Sequence, residues 1–164
     1  MRALKSNALC IILVVSIYMS VPINSTFAET IFRGLHLGQT KEQALSLVAK
    51  LGFSTHLGVV SEWKYKDEVQ TPFQCKVGLG TSWITTIDDK VTRLELYSCF
   101  FDYDTTDSQA FKKKITEAYD LRSWRGNQRS LFATTSSGEN VELTINDRNS
   151  RPVIIIRKEM IGKF

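Results

Sequence analysis

Two stretches, beginning at Thr40 and Thr106, combine a helix cap with helical periodicity, and most of the sequence between and after them alternates with a period of two. That combination restricts the chain to a sheet carrying two helices. Thr40 with Gln43, and Thr106 with Gln109, both fit the Thr-x-x-Gln capping box, in which each side chain satisfies a backbone N–H at the helix start. Ala44, Leu45, Val48 and Leu51 then fall on one face, and Gly52 stands where a glycine ends a helix. In the second stretch Phe111, Ile115, Ala118 and Tyr119 make the apolar face, with Lys112, Lys113 and Lys114 largely on the other. Gly38 supplies a turn before the first helix, and residues 31–37 read as an extended lead-in.

The strands follow from alternation. Residues 59–66 place Ser61, Trp63 and Tyr65 on an inward side, residues 67–72 read as a loop, and Phe73, Cys75, Val77 and Leu79 alternate again. Residues 83–87 are extended, 88–90 turn, and 91–101 form one long strand. Residues 123–128 read as a turn-rich link, 130–135 and 140–146 as a hairpin closed through 136–139, and 153–158 as a last strand. The expected fold is α+β, two short amphipathic helices packed on an antiparallel sheet. Thr40, Gln43, Ala44 and Leu45 match Thr106, Gln109, Ala110 and Phe111 in type. A tandem α-β repeat over 29–104 and 105–164 is therefore an expectation.

The N-terminus has the layout of a secretory signal peptide. Arg2 and Lys5 precede an apolar run over 8–19, Pro22 and Asn24 interrupt it, and Thr26-Phe27-Ala28 offers small residues at a cleavage site. The run is shorter than the ~20 residues of a spanning helix, so no stable membrane span is expected once a 1–28 leader is cleaved. Leu9 before Cys10 is the wrong residue for a lipidation signal. Cleavage leaves a single α+β domain over 29–164 that holds Cys75 and Cys99. In an exported, periplasmic or secreted protein these two favour one disulfide. The net charge of +4 is spread unevenly: residues 29–106 carry 8 basic and 10 acidic groups, and 107–164 carry 11 and 7. That polarity is weaker than a nucleic-acid footprint, so no nucleic acid is expected as partner.

The entry Gly34-x-x-x-Gly38-x-Thr40-x-x-x-Ala44, closing at Leu51-Gly52-Phe53, resembles a motif in small exported bacterial proteins. Two such families are the β-lactamase-inhibitory-protein-like fold and the small lipoproteins of the outer-membrane assembly machinery. The resemblance implies short helices paired with antiparallel strands. The chain departs from both, lacking the lipoproteins' lipidation cysteine and having fewer cysteines than the inhibitor's disulfides need.

Little in the sequence points to catalysis, and no cofactor or metal is expected. His36 and His56 are the only histidines, too few for a zinc set of three or four recognisable ligands. The acids of 102–107 could offer oxygens to Ca²⁺ but lack an EF-hand's glycine and glutamate. They fit better as favourable charge before a helix. Cys75 with His56 could form a nucleophile pair, although a structural bridge accounts for Cys75 more simply. Two groups remain as candidate binding surface. Arg122, Trp124, Arg125 and Arg129 could hold an anion or stack on a planar ligand, against the plainer reading of a solvated basic turn. Trp63, Tyr65 and Trp83 lie on expected strands. They become a partner surface if one sheet face stays uncovered, and core if the helices cover them. The leading expectation is a non-enzymatic envelope protein that binds another protein, an inhibitor being one form of that. The alternatives are a small periplasmic hydrolase and a binder of anionic envelope material through the basic C-terminal half.

Overall fold

The computed structural model describes residues 32–55, 62–75, 80–145 and 150–158. The expected leader and His56 lie outside these residues. The elements run α1 (Lys41–Lys50), β1 (Trp63–Tyr65), β2 (Glu68–Gln74), β3 (Thr81–Ile87), β4 (Lys90–Tyr97), α2 (Ser108–Tyr119), β5 (Arg122–Gly126), β6 (Ser130–Thr134), β7 (Asn140–Ile145) and β8 (Pro152–Arg157). A 3-10 turn at Ser98–Phe101 follows β4. All eight strands join one antiparallel sheet in the order β1-β2-β3-β4-β8-β7-β6-β5. The fold is α+β and mostly sheet. Each helix precedes a four-stranded meander, and the meanders meet through their last strands.

α1 forms as its sequence dictates. The Thr40–Gln43 capping box is complete, and Gly52 at φ +82° follows the last turn. The Gly52 and Phe53 N–H groups donate to Ala49 and Val48 carbonyls, the two bonds of a Schellman stop. The lead-in is not loosely extended. Phe32 and Leu35 close a tight turn through Arg33 and Gly34, both at positive φ, and bury Phe32, Leu35 and Leu37. Beyond it the Gly38 N–H donates to the Val91 carbonyl and the Val91 N–H to that of Gln39, which pins the start of α1 to β4.

Several strand limits differ from expectation. The α2 cap is Asp107, whose carboxylate accepts from the Gln109 and Ala110 N–H groups. The matched positions of the two helices therefore do not share a capping geometry. Ala118 is exposed, and Phe111 with Ile115 provide the buried face of α2. Residues 68–72 are strand rather than loop. Gln74 donates its N–H to Ser54, on the edge away from β3. Pro72, two residues earlier, turns its nitrogen to that same edge and forfeits no β3 ladder bond. Residues 98–101 leave the strand for the 3-10 turn, so Cys99 is not mid-strand, and Cys75 lies just past the end of β2. Residues 122–126 are edge strand β5, not a link.

The core lies between the helices and one sheet face. Leu94, Leu96, Ile154, Ile156, Val141 and Leu143 meet Ala44, Val48, Phe111 and Ile115 there, closed by Phe100 and Phe101. Cys75 and Cys99 form the disulfide, with a Cα–Cα distance of 6.0 Å. It ties the end of β2 to the turn after β4 across the start of β3, between two strands that are not neighbours.

Candidate functional site

Directly opposed residues of an antiparallel pair project to the same face, so register decides which side chains share a surface. Pro72 opposes Trp83, Trp83 opposes Glu95, and Glu95 opposes Ile155; on the other side Ile155 opposes Glu142, Glu142 opposes Phe132, and Phe132 opposes Arg125. This row crosses seven strands on the face away from the helices. Trp63 opposes Gln70 and Tyr65 opposes Glu68, which puts β1's aromatics on that face too. Trp63, Tyr65 and Phe132 are the exposed large hydrophobics among the described residues, at 49%, 55% and 45%. All three stand on the face the helices leave open. The inward placement expected for Trp63 and Tyr65 is thus reversed. β1 is a three-residue edge strand exposed throughout, and α1 lies on the opposite side of the sheet.

Trp63 and Tyr65 stack, with ring centroids 5.7 Å apart and planes 8° from parallel, and Lys66 Nζ lies 5.4 Å from the Tyr65 ring centre. Two residues of one strand with the same facing can pair in this way only at a spacing of two. Trp83, further in, is half-buried. The middle of the face is charged but internally balanced. Arg93 contacts Glu95 at 3.1 Å and Arg157 contacts Glu142 at 3.5 Å. Burial pushes the Glu95 carboxyl above its usual range; Arg93 pulls against this and Glu142, across Ile155, adds to it. One end of the face is closed. Tyr97, Cys99 and Val153 form a small buried cluster with Cys75 and Ile155. Gly80, at φ +110°, lies under the Tyr97 ring, which a Cβ there would strike.

The arginine–tryptophan group does not assemble as one cluster. The Trp124 indole N–H donates to Thr116 Oγ1 on α2 at 2.8 Å, with Lys112 Nζ 5.7 Å from the ring centre. Trp124 therefore belongs to the helix side. Arg122 pairs with Asp120 at 2.9 Å, and Arg125 opposes Phe132 on the open side. Arg129 sits in the β5–β6 hairpin, where its own N–H and that of Ser130 donate to Asn127 Oδ1. The bulge between Arg122 and Arg125, with Ser123 at φ +57°, separates these directions.

The other chemical candidates take structural roles. Cys75 is bridged and has no thiol to offer as a nucleophile. Asp102 pairs with Arg33, Asp104 with Arg151, and Asp107 caps α2. Among the described residues no three His, Cys, Asp or Glu side chains gather where they could hold a metal. His36 Nδ1 lies 3.0 Å from the Leu37 carbonyl oxygen. On the helix side Glu62 is held by Lys41 and Thr71; the Lys41 hydrogen bond keeps its carboxyl below the usual range, against the opposing effect of burial. Phe132 and the Arg93–Glu95–Glu142–Arg157 set escaped sequence reasoning. They are interleaved at alternate positions of four strands, and only the register brings them together. No helix among the described residues is long and apolar enough to cross a membrane. Comparison with protein-family models, curated proteins and solved structures gives no match.

Proposed function

We propose that this chain is an exported, non-enzymatic protein-binding module that engages a folded partner across the open face of its sheet. The observation that carries this is the confinement of the exposed large hydrophobics, Trp63, Tyr65 and Phe132, to that one face. Aromatic side chains on an otherwise polar surface are the usual anchors of protein interfaces. Eight strands at ~4.8 Å spacing and ~20 Å length give a footprint of roughly 700 Å², near the ~800 Å² per partner of a standard interface. The paired charges in the middle are net neutral. They suit a partner that offers an apolar anchor to Trp63 and Tyr65 and polar groups over Arg93, Glu95, Glu142 and Arg157. Such binding depends only weakly on salt. The leader pattern and the Cys75–Cys99 bridge support export.

The test is capture from a native envelope fraction with three forms of the protein. Wild type and Lys113→Ala, altered on the helix side, are expected to retain the same stoichiometric partner in high salt. The Trp63→Ala/Tyr65→Ala variant is expected to lose it, by about thirtyfold or more in affinity if the pair is a binding hot spot. Equal capture by the aromatic variant rejects the open face as the interface.

A further inference from the structure

We propose that the cleft between the first turn of α2 and the β5–β6 hairpin binds a small carboxylate bearing a short aliphatic tail. The cleft lies on the helix side of the sheet, so the proposal is independent of the open-face interface. Its volume is 290 Å³, at the lower end for ligand pockets, which limits it to a small molecule or a chain terminus.

Its floor and rim differ in chemistry. Leu131, Leu143 and Ile145 line it from β6 and β7. Leu131 and Leu143 oppose each other on the core face, and Leu131 and Ile145 remain half-buried at the cleft. Lys112 and Arg129 enter from opposite sides of the rim. Among the described residues neither cation pairs with a carboxylate: the ion pairs there in this half of the chain are Arg122–Asp120, Arg157–Glu142 and Arg151–Asp104. Lys112 instead lies over the Trp124 ring. Asp107 accepts from the Gln109 and Ala110 N–H groups, which closes the helix end, and it does not line the cleft. Asn127 uses its Oδ1 on the hairpin backbone, which leaves its amide N–H groups to donate outward. Gly126 keeps the wall in place, since a Cβ there would strike the Ser130 carbonyl. Two uncompensated cations and an amide donor above an aliphatic floor match an anion with an apolar tail, not an apolar ligand or a bare cation.

Two sources carry this chemistry: a free short-chain acid, and the C-terminal carboxylate of a peptide ending in an aliphatic residue. The test is an amide NMR titration of the purified protein with sodium hexanoate. Saturable shifts are expected at Lys112, Asn127, Arg129, Leu131 and the Trp124 indole N–H. Hexanol, with the same tail and no charge, should not saturate these signals. Lys112→Gln/Arg129→Gln should weaken hexanoate at least about tenfold. Arg129→Gln alone, at an exposed side chain without a partner among the described residues, should weaken it less and keep the wild-type spectrum. A parallel titration with an acetylated peptide ending in leucine, against its C-terminal amide, separates the sources. Preference for the free-carboxylate peptide over both its amide and hexanoate assigns a chain terminus, and the reverse order assigns a free acid. Equal binding of hexanol and hexanoate, no saturable shift at the cleft, or unchanged affinity in Arg129→Gln overturns the proposal.

Discussion

Replacing Cys75 and Cys99 by serine removes the one covalent tie between the two ends of the β2–β4 meander. The bridge closes a loop of sequence separation 24. Constraining a loop of that length lowers unfolded-chain entropy by an amount worth about 3.4 kcal/mol at 25 °C. Strand pairing does not compensate, because β2 and β4 each pair with β3 and not with one another. Nor is the site neutral in packing: Tyr97, Val153 and Ile155 lie against the bridge at the closed end of the open face. The assay is equilibrium urea unfolding followed by tryptophan fluorescence, for wild type and the Cys75→Ser/Cys99→Ser variant. With a slope of about 1–3 kcal/mol per molar urea, the midpoint should fall by about 1–3 M. A free-thiol assay on the unreduced wild type should find neither Cys75 nor Cys99 reactive. A midpoint that moves by less than about 0.3 M at unchanged slope would falsify the loop-closure account.

Gly80→Ala should destabilise by about 2–4 kcal/mol, because the new methyl meets the Tyr97 ring and the backbone sits at φ +110°; adding Tyr97→Leu should recover the steric part in a thermal double-mutant cycle. Thr40→Ala should cost about 1 kcal/mol, read as a melting shift of about 4 °C, because it deletes half of the α1 capping box. Glu62→Gln should lower stability at neutral pH by up to about 1 kcal/mol. The Glu62 carboxyl is held below its ordinary value of 4.5 chiefly by Lys41, so its contribution is present above that value and lost as pH falls through the lowered one. A difference between wild type and Glu62→Gln that persists in acid contradicts this. Glu95 has the opposite sign: its folded value is raised, so its contribution is present below 4.5 and lost as pH rises through the raised value. Measured by urea unfolding, Glu95→Gln should therefore gain on wild type as pH increases over that window, and a flat difference refutes it.

The sequence alone determined whatever rests on local chemistry. α1 could be read to its ends, because Thr40 and Gln43 cap it and Gly52 stops it within its own backbone. The fold class followed from two helical periods among alternating stretches, and the Cys75–Cys99 pairing followed from there being two cysteines past the expected leader. Where two local signals compete, the sequence misleads. Thr106 and Asp107 can both cap α2, and the shorter reach of Asp107 to two N–H groups wins. Pro72 reads as a loop signal until it is known that its nitrogen faces away from β3 and forfeits no bond of that ladder. Facing is what only the tertiary structure decided. Alternation says that Trp63 and Tyr65 share a side, but a period of two fits either side equally well. The choice was made when α1 and α2 docked against Leu94, Leu96, Ile154 and Ile156, leaving Trp63, Trp83, Phe132 and the Arg93–Glu95–Glu142–Arg157 set on the other face. The same docking drew Trp124 onto α2 and away from Arg125. A surface built from six strands exists only once their register is fixed, and register is a property of the assembled sheet rather than of any one segment.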